Sequence, residues 1–281
     1  MSNTSTDASN PSSTGFSWNG EIPQRPEDPS YVSLMKLVYR ASRRHPSVDR
    51  FLSSFLKYRS YLPAVAAEKV IPNFANSQVT IRDLPRGLWA TPLVDTLSVV
   101  KAAQGFQSKR ILEIGSYKGS TARLLAENTP DSTEIWTLDV DPNHGEAYRG
   151  LPLASRIHRI IGKVSNELLD EHGPFDLIFV DADHDYRSVF HHTAVAFKQL
   201  APGGVILWHD YQQNDYMHGG CAVPEALYMA SRQFDKAILS IEGTMLGIYS
   251  EFPGWETRAL GVQQNANEAI DPWADNKIRK I

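Results

Sequence analysis

The sequence predicts an α/β protein: a doubly wound, seven-stranded, mostly parallel sheet closing on a C-terminal antiparallel hairpin, behind a helical N-terminal extension. Two observations predict it. From about Leu88 onward, short apolar runs of strand type alternate with helical patterns across short connections, as in a parallel sheet covered on both faces. Three of those runs end in polar groups: Arg110–Ile114 in Gly115-Ser116-Tyr117-Lys118-Gly119, Phe175–Val180 in Asp181-Ala182-Asp183-His184, and 205–208 in His209-Asp210. Strands that deliver such groups at their carboxyl ends describe one cleft.

Taken in order, positions 1–29 read as a disordered tail. Ser, Thr, Asn, Gly and Pro dominate its first twenty positions, which bury too little apolar surface to offset chain entropy. Those twenty positions lack the basic start and apolar middle of a secretory signal and the arginines of a transit peptide. Positions 30–87 read as a helical cap. Ser30 can cap a helix carrying Val32, Leu34, Leu37 and Val38 that stops near His45-Pro46, and Ser47 a second carrying Phe51, Leu52, Phe55 and Leu56. Between positions 31 and 60, basic residues (Lys36, Arg40, Arg43, Arg44, Arg50, Lys57, Arg59) face one acid, Asp49. They suit a solvated helix face, or a surface for an anionic substrate or partner protein. These helices could also support a homo-oligomer.

The main domain spans 88–252. Helix 92–103 leads to strand Arg110–Ile114, helix 120–127 to strand 134–138, and strand Ile157–Ile161 to a helix near 165–170. Strand Phe175–Val180, helix 187–200, strand 205–208 and helix 222–233 follow. Runs 237–241 and 245–249, joined by Glu242-Gly243-Thr244, favour a hairpin over a further crossover. Residues 253–281 form a tail without strong periodicity.

Bulk properties exclude several functions. A chain of 281 residues, 42% hydrophobic, can bury one substantial core and a smaller accessory layer. Its net charge of −4 argues against a general nucleic-acid or membrane-surface binder. The single cysteine, Cys221, excludes an internal disulfide and suggests a reducing, cytoplasmic compartment. No apolar run approaches the ~20 residues that span a bilayer.

The glycine turn narrows the ligand. Gly115 and Gly119 give Glu-x-Gly-x-x-x-Gly, and Tyr117 stands where the dinucleotide fingerprint has the glycine that admits a pyrophosphate. The loop therefore suits a ligand without one. Asp139, ending the next strand, is placed to accept hydrogen bonds from a ribose diol and would repel a 2′-phosphate.

Glu113-Ile-Gly-Ser-Tyr-Lys-Gly and Leu138-Asp-Val-Asp-Pro resemble class I S-adenosylmethionine-dependent methyltransferases, with the Gly-x-Tyr-x-Gly form similar to the catechol O-methyltransferase type. Phe175-Asp-Leu-Ile-Phe-Val-Asp-Ala-Asp-His-Asp-Tyr and Leu200-Ala-Pro-Gly-Gly-Val-Ile-Leu-Trp-His-Asp-Tyr resemble metal-dependent small-molecule and sugar O-methyltransferases. Macrolide-sugar methyltransferases and cephalosporin-hydroxylase-like proteins are among the similar types. The resemblance covers roughly Leu88 to Tyr249. It implies a Rossmann-like methyltransferase fold, S-adenosyl-L-methionine as cofactor, and transfer of its methyl group to a hydroxyl of a small molecule such as a sugar, phenol or natural product, an activity of secondary metabolism. Gly115 and Gly119 would approach the methionine portion, Glu113 would orient their loop, and Asp139 would hold the ribose. Ser116, Tyr117, Ser120 and Asp181 would complete that part of the pocket, with Val164 and Ser165 near adenine.

Transfer to an alcohol or phenol needs a hydroxyl that has lost its proton, through a metal that lowers its pKa or a positioned base. Asp181 and Asp210 end neighbouring strands, so their carboxylates can converge on a hard cation such as Mg²⁺. His209 stands where similar enzymes carry an acid or amide. Imidazole suits Mn²⁺, Fe²⁺ or Zn²⁺ better than Mg²⁺, so either the site takes a softer metal or His209 turns away. His184 occupies the position of the base in similar enzymes, with Asp183 its competitor and Asp185 the expected cap of the following helix.

Of the remaining residues, His191 and His192 read as surface positions on a helix, His218 as a substrate contact in a glycine-rich loop, and Trp89 as a cover for the cofactor. Trp208 reads as sheet packing and Cys221 as inert. Two other functions compete with methyl transfer: a non-catalytic cofactor-binding protein with a decayed metal site, and a nicotinamide-dependent oxidoreductase.

Overall fold

The structure is a computed structural model of the chain, and it describes residues 16–25, 37–38, 62–84, 90–211, 221–255 and 259. The helical cap over 30–61 lies outside these residues apart from positions 37 and 38, which are helical. Trp89, His218 and nearly all of the C-terminal tail also lie outside them.

An eight-stranded sheet organises the fold, in the order β1-β7-β8-β6-β5-β2-β3-β4. Its strands are β1 (Ala64–Val65), β2 (Arg110–Ile114), β3 (Glu134–Asp139), β4 (Ile157–Ile161), β5 (Phe175–Val180), β6 (Leu200–Trp208), β7 (Leu239–Ile241) and β8 (Gly247–Ser250). Helices α1 (Ala67–Val70), α2 (Leu93–Gly105), α3 (Ser120–Asn128), α4 (Asn166–Leu169), α5 (Tyr186–Gln199) and α6 (Val223–Gln233) lie between them. Every pairing from β4 through β6 is parallel, and β8 runs antiparallel to both β6 and β7, as the hairpin expectation requires.

Seven strands were expected from the sequence and eight are present. The extra strand, β1, is two residues long and pairs parallel with β7, Ala64 opposite Ser240 and Val65 opposite Ile241. Its apolar signal is too short to read, and the pairing supplies the order. Neighbouring Leu62, Val65, Val70 and Ile71 are core residues, so this stretch of the expected cap is an edge of the main sheet.

Part of the expected tail is packed as well. The Phe16 ring meets Phe197 and Phe234 at 5.6 and 5.1 Å between centroids, and Trp18 lies against Phe190 and Phe234. Arg25 pairs with the fully buried Glu225 of α6. Two aromatic rings, each able to bury ~150–250 Å², outweigh the polar composition around them.

The central strands are buried on both faces, which accounts for their continuous apolar runs. Ile111, Leu112, Ile114, Leu177, Ile178, Phe179, Ile206 and Leu207 are fully excluded from solvent. Direction reverses between β2 and β5: the chain runs outward from β2 through β3 and β4, then returns to β5 on the other side. The carboxyl ends of these two strands therefore diverge into a crevice.

Candidate active site

The crevice is a cleft of about 1380 Å³, larger than the ~300–1,000 Å³ that one drug-sized ligand needs. It has room for a cofactor and an acceptor together. Glu113, Gly115, Ser116, Tyr117, Ser120, Asp139, Val164, Asp181, Asp183, His184, His209 and Asp210 all line it. The strand ends expected to share one cleft do so.

At one end of the cleft, β2 leads into a turn whose backbone only glycine adopts readily. Gly115 has φ +94°, and a Cβ there would stand 2.0 Å from the Asp181 carbonyl oxygen. Gly119 has φ +80°, and a Cβ would collide with the Tyr148 ring at 2.5 Å. Tyr117, between them, also has positive φ, 45°, a conformation that a bulky residue holds only when its surroundings enforce it. Asp139 supplies that enforcement: its Oδ2 accepts the N–H groups of Ser116 at 3.0 Å and Tyr117 at 2.8 Å, and its Oδ1 accepts Asp141 N–H at 3.0 Å. Burial opposes ionisation of Asp139, yet these backbone donors hold its carboxyl below the ordinary range. The residue expected to bind ribose also clamps the loop. An ionised carboxylate offers about four acceptor sites, which leaves capacity for a hydroxyl.

Glu113 is 1% exposed. Burial pushes its carboxyl up to about 8, against hydrogen bonds from Thr137 Oγ1 at 2.7 Å and Ser116 Oγ at 3.1 Å. It ties the end of β2 to β3 and to the loop. Tyr148, which the sequence did not single out, seats its ring against Gly119 and Gly145 and backs the turn.

Of the two residues expected near adenine, Val164 lines the cleft while Ser165 caps α4, accepting Leu168 N–H at 3.2 Å; Ser165 is not among the lining residues. His191 and His192, expected on the surface, both line the cleft. Helix α5 turns that face inward: a ring nitrogen of His191 sits 3.0 Å from the Val164 carbonyl oxygen, and burial pushes His192 down to about 4.

The third region is a cluster of acids and imidazoles. His184 Nε2 lies 2.6 Å from Asp210 Oδ2, and the hydrogen bond raises the His184 pKa. Asp181, His184 and Asp210 each offer a ligand atom, all within 4.8 Å of one another, a group able to hold a metal ion. His209, expected in that set, is 6% exposed and faces two ways. Its Nε2 is 3.2 Å from Asp95 Oδ2, and its Nδ1 is 3.2 Å from both Asp181 Oδ1 and Asp210 Oδ2. Burial works against protonation of His209, but the surrounding carboxylates push its pKa up to about 12. The same imidazoles hold Asp210 far below the ordinary carboxylate range, against its burial. Asp210 has φ +58°, a second enforced backbone conformation at this site.

Asp183 is occupied differently. It accepts the N–H groups of His184 at 2.7 Å and Asp185 at 3.2 Å, and despite burial, hydrogen bonds from Ser188 and this backbone hold its carboxyl below the ordinary range. Asp185 caps α5 as expected, accepting from Arg187 N and Ser188 N.

Two residues missed by sequence reasoning complete the cluster. Thr91 donates its hydroxyl to Asp181 Oδ2 at 2.9 Å. Asp95, in the first turn of α2, is fully buried and accepts Met245 N–H at 3.0 Å on Oδ1. A charged residue in a helix otherwise rich in buried apolar residues was the available signal for Asp95. Trp208 packs in the sheet and donates its indole N–H to Thr193, and Cys221 lies against the Asp210 carbonyl.

Comparison with known proteins agrees with this geometry. Residues 112–211 match the family described as "Methyltransferase domain". The chain is 27% identical over 220 residues to a catechol O-methyltransferase of Mycobacterium tuberculosis, covering 76% of this chain and 88% of that one. It is 32% identical over 113 residues to a catechol O-methyltransferase of Niastella koreensis, covering 37% of this chain and 50% of that one. Among solved structures, the fold is similar to the SAH-bound methyltransferase of Podospora anserina, with TM-score 0.50, 20% identity, and coverage of 73% and 96%.

Proposed function

We propose that this chain, a class I S-adenosylmethionine-dependent O-methyltransferase of the catechol O-methyltransferase-like type, methylates a hydroxyl of a phenol, sugar or natural product with the help of a divalent metal. The observation that carries the reading is the convergence of Asp139, Asp181 and Asp210 on one cleft beside a glycine loop built for close backbone approach. Cofactor and acceptor then meet across the strand ends.

The loop Gly115–Gly119, clamped by Asp139, would bind the amino-acid portion of S-adenosylmethionine, and Asp139 the ribose. Asp181 and Asp210 suit a hard dication such as Mg²⁺ or Mn²⁺. A buried histidine nitrogen facing them without a well-aligned hydrogen bond fits a cation between these groups. When bound, the metal supplies a lowered pKa for the acceptor hydroxyl. His184 would take the hydroxyl proton on Nδ1, the ring nitrogen that Asp210 does not engage, and pass it toward solvent, since its side chain is 43% exposed. Asp210 holds the ring in place through the 2.6 Å contact. Asp183 is less suited to that work because its carboxylate is already engaged by backbone N–H groups.

The setting we infer is cytoplasmic. A single cysteine permits no internal disulfide, and no helix of the described residues is long and apolar enough to cross a membrane. Neither competing function is favoured: the matched relatives are O-methyltransferases, and both carboxylates that a decayed metal site would lose stand together.

The test is transfer from methyl-labelled S-adenosylmethionine to a panel of catechols, other phenols and glycosides, with and without chelator. The expected result is turnover on one class, lost on chelation and restored by a divalent metal. Turnover that ignores the chelator would remove the metal and leave the methyltransferase.

A further inference from the structure

We propose that Asp95 is a positioning residue that turns His209 into a nitrogen ligand of the metal centre, so that the centre favours Mn²⁺, Fe²⁺ or Zn²⁺ over Mg²⁺. The inference rests on the metal-assisted reading above and concerns which atoms form the site.

The cluster of Asp181 and Asp210 would be unremarkable without His209. That side chain is 6% exposed, and its Nδ1 makes no hydrogen bond, although two carboxylate oxygens lie 3.2 Å away. A buried ring nitrogen is seldom left so. Two donor atoms ~3 Å apart are the spacing at which neighbouring ligands share one small cation with bonds of ~2.1 Å. Nδ1 holds that spacing to both acids at once.

The opposite side of the ring explains its orientation. Asp95 is fully buried on α2, far from any other strand-end group in sequence, and its Oδ2 stands 3.2 Å from His209 Nε2. Its other oxygen accepts Met245 N–H at 3.0 Å, so the carboxylate cannot rotate without losing a backbone partner. With the Nε2 proton held by Asp95, Nδ1 is the nitrogen turned to Asp181 and Asp210, and a bound cation would take the place of its proton. Carboxylate, imidazole and metal in line is an arrangement that fixes the tautomer and raises ligand basicity. Imidazole nitrogen is a ligand for Mn²⁺, Fe²⁺ and Zn²⁺, whereas Mg²⁺ takes oxygen.

The alternative is that His184 is the nitrogen ligand, since it belongs to the group of three within 4.8 Å. Mn²⁺ titration of the full chain, read by pulsed electron paramagnetic resonance, separates them. The expected result is a nitrogen coupling that survives His184→Gln and disappears in His209→Asn. Asp95→Ala should weaken Mn²⁺ binding by ~10–100-fold and diminish the coupling, with S-adenosylmethionine affinity unchanged. Asp95→Asn keeps the volume and one carbonyl oxygen, so it should fold even where alanine does not, and should fall between the two. A coupling that vanishes with His184→Gln, or is untouched by Asp95→Asn, overturns the inference and leaves the metal-assisted reading in place. Absence of Mn²⁺ binding in every form, with cofactor affinity intact, overturns both.

Discussion

Glu113 allows a quantitative test of the site's electrostatics. Its carboxyl is 1% exposed, and burial raises it from an ordinary 4.5 to about 8. The folded chain therefore keeps a proton that the unfolded chain releases, across the whole interval between those values. A folded-state pKa above the unfolded one means that stability is fully present below pH 4.5 and is lost as pH rises through 8. At ~1.4 kcal/mol per pH unit, and allowing for partial titration at both ends, the loss between about pH 5 and 8 is on the order of 3 to 4 kcal/mol. Glu113→Gln removes the titration while keeping the side chain's size. Urea unfolding of ligand-free wild type and variant at pH 5, 6.5 and 8, followed by tryptophan fluorescence, isolates this group, because all other titrations cancel in the difference. The wild type should lose ground to the variant steadily as pH rises. Any hydrogen bond that the amide spoils adds an offset that does not depend on pH. A difference that stays constant from pH 5 to 8, or moves the other way, would refute the assignment of Glu113 as a neutral buried acid.

Asp181→Ala should abolish methyl transfer while S-adenosylmethionine affinity, measured by calorimetry, stays within about three-fold, because its carboxylate faces Thr91 and His209 and the loop is held by Asp139. A large affinity loss would place that carboxylate in the cofactor pocket instead. Gly115→Ala forces a Cβ to within 2.0 Å of the Asp181 carbonyl at φ +94°. Cofactor affinity should drop at least ~10-fold with a lowered melting temperature, since strain of this kind costs ~1–3 kcal/mol or more; an unchanged titration would mean that the loop is free to shift. Phe16→Ala with Trp18→Ala should lower unfolding stability by about 2–4 kcal/mol, less than for two wholly buried rings, and leave cofactor affinity alone. No change in stability would return this segment to the tail that its composition suggested.

The element pattern of the main domain was legible because both kinds of period are strong there. Strands Ile157–Ile161 and Phe175–Val180 occur at the boundaries read from their apolar runs, and the Asp185 cap is where its spacing placed it. Segments with weak local signals were not legible. Strand β1 is two residues long and forms only because β7 offers an unpaired edge, and Phe16 and Trp18 find their partners more than 150 residues away, on α5 and just past the end of α6. His191 and His192 were misplaced for a related reason: helical spacing shows that two neighbours differ in facing, but the packing of α5 decides which arc meets the cleft.

For the site itself, the sequence alone determined the chemistry available. Glycines at 115 and 119, an acid at 139, and acids and imidazoles at 181, 184, 209 and 210 are fixed by local turn geometry and by the rule that strand ends in such sheets meet. Tertiary structure decided how those groups are paired. Asp95 comes to His209 from a helix 114 residues earlier in the chain, Thr91 reaches Asp181 from the segment before it, and Asp183 is withdrawn onto its own backbone. Hydrogen bonds act over ~3 Å, and nothing in the linear order specifies which distant carboxylate arrives at that distance; the sheet order and the docking of α2 on it do.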